Sequence, residues 1–68
     1  MPIATIQIVA GRDAQKKRGL MAAVAQAIAT SLDAPIDNVR VIVQEVSADL
    51  WSVGNQTVAE RRARPPKQ

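Results

Sequence analysis

The chain of 68 residues has no cysteine, no histidine, no phenylalanine and no tyrosine, and its only aromatic residue is Trp51. Without Cys or His, the common zinc, haem and thiol sites lose their ligands and no disulfide framework can form. No cofactor and no metal is expected. Apolar runs stop well short of the roughly 18 residues a membrane span needs, and the first residues do not read as a signal peptide. A single cytoplasmic domain without a membrane partner is the expectation from length and composition.

Apolar residues make up 47% of the chain, yet twelve are Ala and eight Val, against three Leu and one Trp. Side chains this small build a thin core. A lone chain is therefore marginal, and burial between subunits is expected to supply the remainder. The net charge of +3 is uneven. Acidic and basic residues balance over residues 1–59, and the excess lies in Arg61, Arg62, Arg64 and Lys67 against Glu60. This places a domain at residues 1–62 and a basic tail containing Pro65 and Pro66 at residues 63–68. No aromatic side chain interleaves with these cations, which removes the stacking half of a single-strand site; nucleic acid is not an expected partner.

Ile3 to Val9 reads as a strand with apolar residues on both faces, as in a strand covered on two sides. Gly11 punctuates it, and Asp13 is placed to cap a helix over Ala14–Leu32. Leu20, Val24, Ala27, Ile28 and Ser31 follow helical spacing, with Met21 and Leu32 widening the stripe. Asp33-Ala34-Pro35 ends the helix, because a residue preceding proline avoids the helical region. Val39 to Val46 is a second strand, and Val53-Gly54-Asn55-Gln56 suits a tight hairpin. Strand, helix and strand form an α/β unit of β-α-β type, with parallel strands and a right-handed crossover. Two strands alone leave edges and a face exposed. Two units joining edge to edge as a dimer, then packing free faces as a trimer of dimers, would satisfy both.

Two kinds of residue could carry chemistry. Loss of Met1 would give Pro2 a free secondary amine, which an apolar pocket and nearby guanidinium groups would depress toward neutrality and suit to general-base work. The alternative is that Pro2 merely begins a strand, where its missing N–H costs nothing. Arg40 interrupts an aliphatic strand and needs an anionic or acidic partner. A salt bridge to Glu45 or Asp49 across an interface is one solution; bidentate capture of a substrate carboxylate is the other.

The opening Pro2-Ile3-Ala4-Thr5-Ile6-Gln7-Ile8-Val9-Ala10-Gly11-Arg12 resembles that of the 4-oxalocrotonate tautomerase family. So do Gln15-Lys16-Lys17, the run from Ala27 to Pro35, Val39 to Glu45, and Trp51-Ser52-Val53-Gly54. The likeness extends from residue 2 to about residue 62. It implies a cofactor-independent tautomerase, a homo-oligomer and in particular a hexamer, acting on a small-molecule dienol or 2-oxo dicarboxylate. Pro2 would be the catalytic base and Arg40 the catalytic arginine that stabilises developing charge. Arg12 would hold the distal carboxylate, with Trp51, Asn38 and Val9 lining the substrate site. Trp51 stands where the family usually has phenylalanine, and Asn38 where some relatives have serine.

Strand geometry adds its own constraint. Pro2 and Val9 lie about 23 Å apart at ~3.3 Å per residue, so Arg12 does not serve the Pro2 of its own chain. Antiparallel pairing of two copies would bring Arg12 of one to Pro2 of the other. Two rival readings stand beside this one. A dehalogenase acting on 3-haloacrylates would need a water-activating carboxylate, for which Asp49 is nearest. If Met1 is retained, a non-catalytic oligomeric binding protein remains.

Overall fold

In the computed structural model, which describes residues 1–63, strand β1 is Ile3–Val9 and helix α1 is Ala14–Leu32. A short 3₁₀ turn, Ile36–Asn38, leads into β2, Arg40–Val46. A second 3₁₀ turn, Ala48–Leu50, precedes a hairpin of β3, Ser52–Val53, and β4, Gln56–Thr57, and helix α2, Val58–Ala63, follows. The two long strands run parallel with Ile3 opposite Arg40 and Val9 opposite Val46. This is a β-α-β unit followed by a C-terminal hairpin.

Local chemistry explains the boundaries. Asp13 Oδ1 accepts from the Lys16 amide at 2.8 Å and caps α1. Gly11 turns the chain out of β1 at φ 135, a conformation few side chains tolerate. At the other end Asp33 adopts the left-handed conformation, and its amide and that of Ala34 both donate to Ala29 O. The helix ends at Leu32 as expected, capped by Asp33, and Pro35 opens the 3₁₀ turn. That turn consumes Val39, whose amide donates to Ile36 O at 3.0 Å, so β2 begins at Arg40 rather than Val39.

Ala4, Ile6 and Ile8 of β1 and Val41 and Val43 of β2 are half-buried on the side that carries α1. The helix meets them with Leu20, Val24 and Ile28 along one i+4 row and Met21, Ala25 and Ala29 along the next. This corrects the expected stripe. Ala27, Ser31 and Leu32 are exposed, and Ala25 and Ala29 replace them, because successive i+4 steps carry the contact ridge around the helix. A Lys17–Glu45 ion pair at 2.9 Å ties the first turns of α1 to β2.

Among the described residues, none covers the opposite face of the sheet. Ile3 is 64% exposed there and Ile42 48%, beside a Gln7–Gln44 hydrogen bond of 3.2 Å. Only Ala29 and Val39 are fully buried apolar residues among those described. The accessible surface of 5362 Å² exceeds the about 4,200 Å² of a compact monomer of this mass. The radius of gyration is 15.9 Å, against about 11 Å for a compact domain of this length. Residues 47–63 fold mainly on themselves and leave the open face bare.

Candidate active site

Parallel pairing decides which candidate residues meet. The Arg40 amide donates to Pro2 O at 2.9 Å, so the terminal proline and the strand arginine share one end of the sheet. The Arg40 guanidinium is held through Nη1, which donates to Asp37 O at 2.7 Å and Val39 O at 3.4 Å. Asp37 presents that carbonyl because the 3₁₀ turn is closed by Asn38 N donating to Pro35 O at 3.0 Å. Nε and Nη2 remain uncommitted, a fork still able to grip a carboxylate. Asn38 is exposed at the same end. Within the chain Glu45 pairs with Lys17 at 2.9 Å.

Val9 and Arg12 lie at the opposite end. Arg12 Nη1 donates to Val9 O at 3.2 Å, and the Ala10 amide extends the ladder to Val46 O at 2.8 Å. Trp51 follows Val46 by five residues, just beyond the second 3₁₀ turn. Six strand steps of ~3.3 Å separate the ends by about 20 Å. The candidate residues therefore fall into two candidate half-sites, Pro2, Asn38 and Arg40 at one end of the sheet and Val9 and Arg12 at the other.

Trp51 is half-buried and braced by the C-terminal segment. Its carbonyl accepts from the Val58 amide at 2.7 Å. Thr57 and Glu60 form a reciprocal cap around the start of α2: the Thr57 amide donates to Glu60 Oε1 at 2.7 Å, and the Glu60 amide to Thr57 Oγ1 at 3.0 Å. Gly54, at φ 66, provides the first position of the two-residue turn joining β3 to β4. The expected hairpin is thus present. Helix α2 was not anticipated, although Thr57-Val58-Ala59-Glu60 carries the S/T-x-x-E signature of a helix start. The expected tail lies, from residue 64 onward, outside the described residues.

Beside Arg12 runs a cleft of about 370 Å³, lined by Ile6, Ile8, Arg12, Lys16, Lys17 and Leu20. Lys16 was not among the sequence-predicted site residues. Its i,i+4 spacing to Leu20, on the helix face toward β1, was the available signal.

Fold and site define a class of protein: a small β-α-β subunit, open on one sheet face, with candidate catalytic residues divided between its ends. Comparison with known proteins agrees. The profile of the Tautomerase enzyme family matches residues 2–61. A 2-hydroxymuconate tautomerase of Pseudomonas putida is 40% identical over 62 residues, 91% of this chain and 98% of the relative. One from Stutzerimonas stutzeri is 42% identical over 57 residues, 84% of this chain and 90% of the relative. Among solved structures, a 4-oxalocrotonate tautomerase homologue of the tomaymycin biosynthetic pathway superposes with TM-score 0.91 at 38% identity, covering 96% of this chain and 100% of its own. A heterohexameric 4-oxalocrotonate tautomerase from Chloroflexus aurantiacus has TM-score 0.85 at 37% identity, covering 88% and 97%. The chain belongs to the tautomerase family, and it is an isomerase.

Proposed function

We propose that this protein, assembled as a homo-oligomer, converts 2-hydroxymuconate-like dienols into conjugated 2-oxo acids. Pro2, freed of Met1, is the general base. Its nitrogen takes the proton of the 2-hydroxyl and returns a proton to a carbon of the conjugated chain, leaving the 2-oxo group. Arg40 binds the adjacent carboxylate and the 2-oxygen, where negative charge grows as the dienol ketonises. Arg12 of another subunit holds the distal carboxylate, and Val9, Asn38 and Trp51 line the site.

The observation that carries this reading is the main-chain bond from Arg40 to Pro2, which couples base and arginine through the sheet itself. The separation of the half-sites supports an assembly in which the Arg12 end of one chain meets the Pro2 end of another. A trimer of dimers, stacking open faces, would also cover Ile3 and Ile42, each worth about 1.5–3 kcal/mol when fully buried. The hexameric Chloroflexus neighbour supports that stoichiometry.

The test is ketonisation of 2-hydroxymuconate, followed by absorbance, on protein whose intact mass establishes loss of Met1. Turnover far above the buffer rate is expected; no turnover by the processed protein would overturn the proposal. Halide release from 3-chloroacrylate is not expected. The carboxylate that reaction would need, Asp49, is exposed on the 3₁₀ turn beyond β2, with its amide bonded to Ser47 Oγ at 3.3 Å.

A further inference from the structure

The open face of the sheet is not uniformly apolar. Along it Ile3 stands beside Arg40, Thr5 beside Ile42, Gln7 beside Gln44 and Val9 beside Val46. The third of these rungs is an amide pair, with Gln7 Nε2 donating to Gln44 Oε1 at 3.2 Å. Aliphatic residues flank it, Ile42 in one direction and Val9 and Val46 in the other. A glutamine offers two N–H donors and one carbonyl oxygen, so a single bond leaves the pair half-used. Gln7 Oε1 remains as an acceptor, and Gln44 Nε2 keeps both of its N–H groups. Among the described residues, no other hydrogen bond reaches either amide.

Water serves these groups while the face is bare, but a cover of apolar side chains would strand them. A second copy of this chain brings the same acceptor and the same donors on the same rung. The free N–H of Gln44 in one copy then matches the free Oε1 of Gln7 in the next, and a ring of copies closes with every pair in the same role. Facing sheets pack about 10 Å apart, a gap that two glutamine side chains span. The area is sufficient as well. The accessible surface of 5362 Å² exceeds that of a compact monomer by about 1,200 Å², against about 800 Å² per partner in a standard interface. We propose that the Gln7–Gln44 pair is a register lock: another copy of this chain covers the open face, and its amide pair meets this one. A slip of one rung would set amides against Ile42, or against Val9 and Val46. Polar groups would then go unmatched in every copy, which disfavours the misaligned stack. This rests on the homo-oligomer proposed above and adds what fixes its alignment.

The experiment follows sedimentation across a dilution series and reads the concentration at which half of the protein has dissociated. Wild type is compared with Gln7→Leu, Gln44→Leu and the double variant. Either single change leaves one amide covered without its partner, and the midpoint is expected to rise about tenfold or more. Leucine at both positions removes the unmatched groups together, so the double variant is expected to return to within about threefold of wild type, or below it. With the lock gone, its amide NMR spectrum is expected to split into more than one set of peaks as alternative alignments fill. Singles that dissociate like wild type, a double variant no better than the singles, or a double variant with one sharp set of peaks would overturn the lock. If a variant folds only when assembled, the loss of its circular dichroism on dilution gives the same midpoint. A wild type that sediments as a monomer would also overturn it. Turnover plays no part in these readouts, so an assembled protein inactive on dienols would sink only the proposed reaction.

Discussion

Residues 3–46 and residues 47–63 keep their shapes by different means. The first region has seven register pairs between long parallel strands and a helix of 19 residues packed across them. The second has a hairpin of two register pairs, a helix of six residues, and apolar side chains left in the open, with Leu50 79% exposed. Main-chain bonding makes the first region rigid by itself, and it is there that Pro2 and Arg40 are joined. Local caps and a turn hold the second, and it is there that Trp51 sits. The candidate catalytic groups are thus tied to the sheet, while Trp51 belongs to an arm held by local bonds alone.

If the division is right, damage to the open face should cost most, because it separates the half-sites. Ile42→Asn puts an unmatched polar group on that face and brings no charge to pair with Arg40, two residues away on the same side of β2. Sedimentation should show smaller species, and dienol ketonisation should drop to near background. An active monomer would break the comparison at its root, since a single chain would then hold a whole site.

Next in size come substitutions at the joined end. Pro2→Ala, again verified by mass, should lower kcat by about 10²-fold, the lower range for a positioned base, with the circular dichroism spectrum retained. In wild type, protonation of the Pro2 amine removes the base, so kcat/KM should fall as pH drops through that amine's pKa. Arg40→Lys keeps the charge but loses the planar fork that grips two carbonyls and a carboxylate together. A fall in kcat/KM of about tenfold or more is expected, with the larger share in kcat. An effect on KM alone would make Arg40 a binding residue rather than one that acts on the developing charge.

The same division governs how much could be read from the sequence. Period-two alternation from Ile3 to Val9 and helical composition from Ala14 to Leu32 gave those elements their observed limits, because packing against each other enforces the pattern. The helix face was legible only in part. Leu20, Val24 and Ile28 were identified, but alanines are too small to announce which side they bury, and Ala25 and Ala29 went unread. In the arm, Gly54-Asn55 marked the turn, whereas α2 was hidden by its charges: Glu60, Arg61 and Arg62 show no apolar stripe, and the reciprocal Thr57–Glu60 bonds set the helix start. The separation of Pro2 from Arg12 followed from strand length alone. Lys16 did not, because a lysine near a helix start is ordinary until the cleft beneath it is seen.

The smallest effect, and the sharpest probe of the arm, concerns Glu60. Its side chain touches no candidate site residue; it accepts from the Thr57 amide, and α2 in turn donates from Val58 to the Trp51 carbonyl. Glu60→Ala removes half of the reciprocal cap, a change worth about 1 kcal/mol in a helix of ordinary length. Since Trp51 is the only tryptophan, its fluorescence reports this arm and nothing else. A red-shifted emission is expected, with a change of a few-fold in kcat/KM and little change in the sedimentation coefficient. Glu60→Gln, which keeps an acceptor at the same reach, should restore both. Were Glu60→Ala to lower activity with Trp51 emission unmoved, the arm would be acting on the site through something other than the placement of its indole. The contrast between a rigid catalytic end and a locally braced specificity wall would then have to be redrawn.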